Sequence, residues 1–251
     1  MGAGEFISIA LAGMAAGAIN TLVGSGTLIT FPVLLAFGYS PVTANVSNTI
    51  GLVPGSVSGA IGYRRELSGQ KQRALRLGVM SLAGGITGAV ALLVLPAAAF
   101  EAIVPAFIAL ALVLTLMQPR IARWLSKRDM NLDHSRGVLL PLAVYLTGVY
   151  GGYFGAAQGI MLLAILGAAL AQDLQRTNGL KNVLAGLVNG VAGLIFIFAA
   201  HVAWGPAAII AVGSIAGAQL GARYGRRLPP NALRGVILVV GLLAIARLLS
   251  S

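Results

Sequence analysis

Four short polar clusters interrupt an otherwise apolar chain: Gly24, Ser25, Gly26 and Thr27; Asn45, Ser47 and Asn48; Gln158 and Gly159; and Thr177, Asn178, Lys181 and Asn182. Apart from Lys181 they are hydroxyls, amides and glycines. Such groups donate hydrogen bonds without carrying charge, and Gly lets a backbone N–H approach a sulfonate, phosphate or carboxylate oxygen closely. The chemistry they suit is the binding of a small anion. Asp and Glu do not occur in the middle of any apolar run; Glu5, Glu66, Glu101, Asp129, Asp133 and Asp173 fall at ends or in loops. Intramembrane carboxylates are the usual proton and cation relays, so this pattern argues against an acidic proton switch and against a cation pathway.

Each candidate also has a purely structural use. The glycines serve equally as tight-turn residues, and Lys181 with Arg176 either contacts the anion or marks the cytoplasmic side. Asn48 and Asn182 are the strongest site candidates, because an amide one turn into an apolar run is costly unless it is paired. Asn20, Thr21 and Asn189 are expected to bond between helices, and His201 beside Trp204 to sit at the membrane interface. Catalytic motifs are missing: the chain has no Gly-x-Ser-x-Gly elbow, Walker loop or His-Glu-x-x-His. Ser25 has no His and carboxylate pair at comparable depth. Without cysteine there is no disulfide or thiolate site, and two histidines make a metal centre improbable. No cofactor is expected.

The elements that must hold these clusters are membrane helices. The 251 residues are 58% hydrophobic and 9% charged, with a mean hydropathy of +0.91, too little polar surface to coat a soluble globule. Apolar runs lie at about 6–23, 27–38, 45–62, 77–95, 100–117, 137–154, 159–171, 182–200, 205–222 and 232–249. Eight are of spanning length. The runs 27–38 and 159–171 reach only about 18–20 Å as helices, and they hold corresponding places in the two halves, the pattern of a site built from discontinuous helices. Backbone broken by Gly and Pro at membrane depth needs protein or a water-filled cavity to satisfy it. Pairs such as Gly13 and Gly17, Gly84 and Gly88, and Gly213, Gly217 and Gly221 are expected to pack helices closely. The Met1–Glu5 start lacks the basic segment of a cleavable signal, so the first run is expected to remain.

The halves match in sequence: Thr43 with Thr177, Asn48 with Asn182, Gly59 with Gly193, Gly26 with Gly159, Pro96 with Pro229 and Gly88 with Gly217. Their basic loops alternate in opposite senses. Arg64, Arg65, Lys71, Arg73 and Arg76 follow the third run, whereas the turn at 201–205, in the equivalent place, has no Lys or Arg; Arg223, Arg226, Arg227 and Arg234 come one loop later. Opposite charge in equivalent loops places the second unit inverted in the membrane. The net charge of +11 thus reads as topology facing anionic lipid, not as a nucleic-acid footprint.

The expected fold is an all-α polytopic membrane protein with two inverted repeats, each of four long transmembrane helices and one short or re-entrant helix. Residues 1–118 form the first repeat, 119–136 a basic cytoplasmic linker and 137–251 the second repeat, within one integral membrane domain. The short segments cross or re-enter; both give the same sidedness, with the basic loops inside and both termini outside, and only Arg247 as an exception. Oligomeric state is left open.

Gly24-Ser25-Gly26-Thr27 followed by Phe31-Pro32-Val33-Leu34, then Ala44-Asn45-Val46-Ser47-Asn48 and Gly59-Ala60-Ile61-Gly62-Tyr63-Arg64-Arg65-Glu66-Leu67, resemble the sulfite exporter TauE/SafE family of membrane transporters. The likeness continues through Gly159, Thr177, Asn182 and Leu228-Pro229. It implies a multi-pass carrier of the bacterial inner membrane exporting sulfite or small organosulfonates. Departures fall on the site: Asn45, Ser47 and Asn48 replace the family's common Thr-Ser pair, and Gly155-Ala156-Ala157-Gln158-Gly159 is a weak copy of its glycine run. Another carried solute, such as a carboxylate or another sulfur species, and a non-transporting assembly subunit are the alternatives.

Overall fold

The computed structural model describes residues 1–126, 138–170 and 172–224, together with 235, 238, 239, 242, 245 and 246. Among them the chain is helical: α1 (Ala3–Leu22), α2 (Thr27–Ala36), α3 (Pro41–Gly62), α4 (Lys71–Val94), α5 (Ala97–Ser126), α6 (Leu139–Tyr153), α7 (Gln158–Ala169), α8 (Leu174–Ala199) and α9 (Trp204–Tyr224). Most of the expected linker, with Lys127, Arg128 and Arg136, lies outside the described residues. So do Arg226, Arg227, Pro229, Arg234, Arg247 and most of the run 232–249.

Among the described residues five helices are long and apolar enough to cross a membrane: α1, α4, α5 over Ala97–Ile121, α8 and α9. At 22 residues α3 is long enough too, about 33 Å at 1.5 Å per residue. Its sequence is more polar, and it buries Asn45, Ser47, Asn48, Thr49, Ser56 and Ser58 among the other helices. α5 runs on to Ser126, past the expected end of the first repeat at 118. The basic stretch after Met117 continues the helix, and Arg123 Nε donates to the Pro119 carbonyl at 3.4 Å.

Glycine contacts give the helix directions. Gly13 lies against Ile210 and Gly17 against Ser214, so α1 and α9 run parallel. Gly51 against Ile210, Gly55 against Ser214 and Gly62 against Ala222 align α3 with α9. In the other half, Gly84 meets Tyr145 and Gly148 while Gly88 meets Val149, which makes α4 and α6 parallel; Gly78 against Leu187 and Gly85 against Val191 do the same for α4 and α8. A Cβ at Gly17, Gly84, Gly88 or Gly217 would overlap a backbone carbonyl of the neighbouring helix. Close approach of this kind supplies the packing that lipid does not drive hydrophobically.

The two sets meet head to tail. Gly193 lies against Ile50 and Val53, Gly186 against Ser56, and Gly179 against Tyr63, so α3 and α8 are antiparallel. Asn189 Nδ2 donates to Ser56 Oγ at 3.4 Å across this pair, the interhelical bond expected of it. The chief helix pairings exchange into one another when α1, α2, α3 and α4 are swapped for α6, α7, α8 and α9. The exchange reverses helix direction.

Both short helices turn back. Gly26, just before α2, sits against Ala16 and Asn20 of α1; at the far end Tyr39 Oη donates to Glu5 Oε1 at 2.8 Å. Likewise α6 and α8 both run parallel to α4, so α7, which packs on both, returns the chain between them. Of the two possibilities left open by the sequence, the short segments re-enter.

Candidate functional site

The two breaks close with the same backbone pattern. Val23 N and Gly24 N both donate to Ile19 O (2.7 and 3.0 Å), and Phe154 N and Gly155 N both donate to Tyr150 O (2.9 and 3.1 Å). Gly24 and Gly155 take φ of +87° and +79°, the left-handed conformation that ends a helix and favours Gly. Gly155 is therefore the counterpart of Gly24. Gly26, paired with Gly159 by sequence, has Ala157 as its counterpart: Ile29 N donates to Gly26 O as Ile160 N does to Ala157 O, each at 3.0 Å. The backbones differ at this point: Gly26 takes a φ of −59° whereas Ala157 takes +60°, a strain of about 1–2 kcal/mol for a residue with a Cβ.

Gly159 serves a different purpose, since its N–H donates to Gly24 O at 3.1 Å. A Cβ on either glycine would overlap the backbone of the other. The two re-entrant turns thus touch backbone to backbone. Neither α2 nor α7 has a side-chain cap, whereas α3 is capped by Ser40 and α8 by Asp173. The N–H groups of Leu28, Ile29, Gln158, Gly159 and Ile160 in their first turns donate to carbonyls of the two breaks, and the helix starts carry the positive dipole end.

All thirteen candidate residues are buried, and they divide by what they bond. Asn45 Nδ2 donates to Tyr153 O at 2.9 Å, and Asn178 Nδ2 donates to Leu22 O at 3.3 Å. Each amide reaches from one half to the last carbonyl of the interrupted helix in the other. The Ser40 and Asp173 caps set this register, so Asn45 matches Asn178 and Asn48 matches Lys181. The sequence pairing of Asn48 with Asn182 is one residue out, because an alignment by residue type prefers Asn to Lys.

Lys181, free of exposure, donates from Nζ to the carbonyls of Asn20 and Thr21, both at 3.1 Å. Asn182 Nδ2 adds a bond to Thr21 O at 3.2 Å. Lys181 is accordingly interior, whereas Arg176 reaches the loop after α3, with its guanidinium on Ser68 O at 2.9 Å. The remaining candidates tie neighbouring elements together. Asn48 Nδ2 donates to Thr27 Oγ1 at 3.3 Å and its Oδ1 accepts from Thr30, which ties α2 to α3. Ser47 Oγ accepts from Ala203 N at 2.9 Å, and Thr177 Oγ1 donates to Asp173 O at 3.0 Å. These two hold loops and are not brought to the turns.

Buried polar atoms without a partner include Ser25 Oγ, Asn45 Oδ1, Gln158 Nε2 and Asn178 Oδ1. All four belong to the predicted set and flank the two turns. Unpartnered groups cost free energy in a buried setting and call for a functional explanation. Sequence reasoning passed over the carbonyls of Asn20, Leu22 and Tyr153, since a backbone acceptor has no residue signature. It also passed over the aromatic cluster beside the second turn, where Phe31 meets Phe154 edge-on at 5.2 Å and Phe107 meets Tyr150 at 5.5 Å.

A bundle of helices able to span a membrane, with paired re-entrant helices that touch at their turns, has the architecture of a membrane transporter. The family model "Sulfite exporter TauE/SafE" matches residues 9–248, and the chain belongs to this family. It is 28% identical to the probable membrane transporter protein ORF9 of Sinorhizobium sp, over 96% of this chain and 90% of that one. To the probable membrane transporter protein YfcA of Escherichia coli K12 it is 27% identical, over 94% and 86%. A probable membrane transporter protein of Haemophilus influenzae is 24% identical over 94% and 91%. No solved structure matches the chain at a significant level. The protein is a multi-pass membrane transporter.

Proposed function

We propose that the chain exports a small oxyanion, sulfite or an organosulfonate, across the bacterial inner membrane through the junction of its two re-entrant turns. One observation carries this reading. The turns meet where Ser25, Asn45, Gln158 and Asn178 have unpartnered polar atoms, and among the described residues no Asp or Glu is buried there. Uncapped helix N-termini favour negative charge. The family's description points to the same solute.

Export follows from energetics: a membrane potential, negative inside, favours anion exit by about 2.3 kcal/mol per charge per 100 mV. The proposal is of a carrier and not an enzyme, because the Ser25 hydroxyl bonds to nothing and so has no base to activate it. The protein's partners in this reading are the small anion and the bilayer, without nucleic acid.

Counterflow of labelled sulfite in proteoliposomes tests it. Ser25→Ala and Gln158→Leu should each lower sulfite flux at least about tenfold, the loss of about 1.4 kcal/mol of binding, with membrane insertion intact. Full flux in both variants would remove the site; acetate moving while sulfite does not would replace the solute.

A further inference from the structure

The charge of the solute can be counted from the junction, granted the oxyanion reading above. Each break joins one helix C-terminus to one helix N-terminus, α1 to α2 and α6 to α7. Helix ends carry about −0.5 and +0.5 of a charge respectively, so each break sums to about zero. The candidate side chains are otherwise hydroxyls and amides, and no carboxylate among the described residues is buried. Among the described residues Lys181 then supplies the one full charge of the junction. Its counterpart in the first half is the neutral Asn48, so the duplication leaves one cation and not two.

The ammonium also has a donor to spare. A lysine Nζ has three N–H donors, and two are engaged by Asn20 O and Thr21 O. We propose that the transported species is a singly charged oxyanion, and that Lys181 selects for it with its third N–H. A monoanion neutralises the junction. A dianion would leave a negative charge buried without a partner and a neutral solute would leave the ammonium so; both carry the penalty of an unpaired buried ion. Hydrogen sulfite and monosulfonates fit this rule, whereas sulfate does not.

Three compounds with a tetrahedral sulfur separate charge from shape: methanesulfonate, singly charged; sulfate, doubly charged; and methanesulfonamide, neutral. As competitors of labelled sulfite counterflow into proteoliposomes of the wild-type protein below neutral pH, sulfate and methanesulfonamide should be at least about tenfold weaker than methanesulfonate. In Lys181→Gln the advantage of methanesulfonate over methanesulfonamide should shrink at least about tenfold, and Lys181→Arg should retain it. Sulfate competing as well as methanesulfonate, or unchanged selectivity in Lys181→Gln, overturns the proposal. Should Lys181→Gln fail to fold, the wild-type series decides alone. Failure of sulfite to move at all strikes the oxyanion reading; sulfite moving with sulfate as an equal competitor strikes only the charge rule.

Discussion

Asn48 and Asn182 look alike in the sequence and do different work. Asn48 is the joint between α2 and α3, giving to Thr27 and taking from Thr30. Asn182 shares its acceptor, Thr21 O, with Lys181. Replacing Asn48 by Leu strands Thr27 in the interior and should cost about 1–3 kcal/mol of stability. Asn182→Leu should cost under about 1 kcal/mol, since Thr21 O keeps its second donor. Thermal unfolding of the two variants in detergent compares them directly, and equal losses would contradict the assignment. Residue types were enough to find which side chains are buried around the breaks. They were not enough to find partners, because the acceptors are main-chain carbonyls brought together only by the fold, and because matching by identity hid the relation of Asn48 to Lys181.

At the scale of elements, the re-entrant hairpins are held at both ends. At the tips, Gly24 and Gly159 leave no space for a Cβ. Gly159→Ala should therefore pry the turns apart and cut sulfite flux at least about tenfold, while Gly190→Ala, which meets nothing within 4 Å, should leave flux unchanged. Similar flux in both variants would mean that the tip contact is dispensable. At the base of the first hairpin Tyr39 binds Glu5. Burial, then the hydrogen bond and the negative charge of Glu5, raises the Tyr39 phenol above its ordinary 10.0. A raised phenol contributes stability that is present below pH 10 and fades as pH climbs through the folded value. Hydrogen exchange in α2 should thus accelerate above about pH 10 in the wild type, beyond the intrinsic base catalysis seen in a Tyr39→Phe control. Parallel profiles would show that the latch does not matter. The short runs were legible as discontinuous helices from their length and place; their sense was not, since a helix of about 18 Å fits a crossing or a return equally well until Gly26 is seen against Ala16.

For the whole molecule, alternating basic loops led to the expectation of an inverted second half, and α3 and α8 do run antiparallel. The loop holding Arg64, Arg65 and Lys71 lies at one end with Arg176, while Glu5 and Tyr39 lie at the other. Because the chain has no native cysteine, single substitutions report sidedness cleanly. Ser68→Cys should react with an impermeant maleimide only from the cytoplasm, and Ala97→Cys only from outside; labelling of both from one side would end the topology. The central claim is that two oppositely directed hairpins form one anion site, and hydrogen exchange of the protein in nanodiscs with and without sulfite tests it most directly. Sulfite should slow exchange at residues 23–28 and 154–160 together. Protection of one turn alone, or of neither, would contradict a shared site.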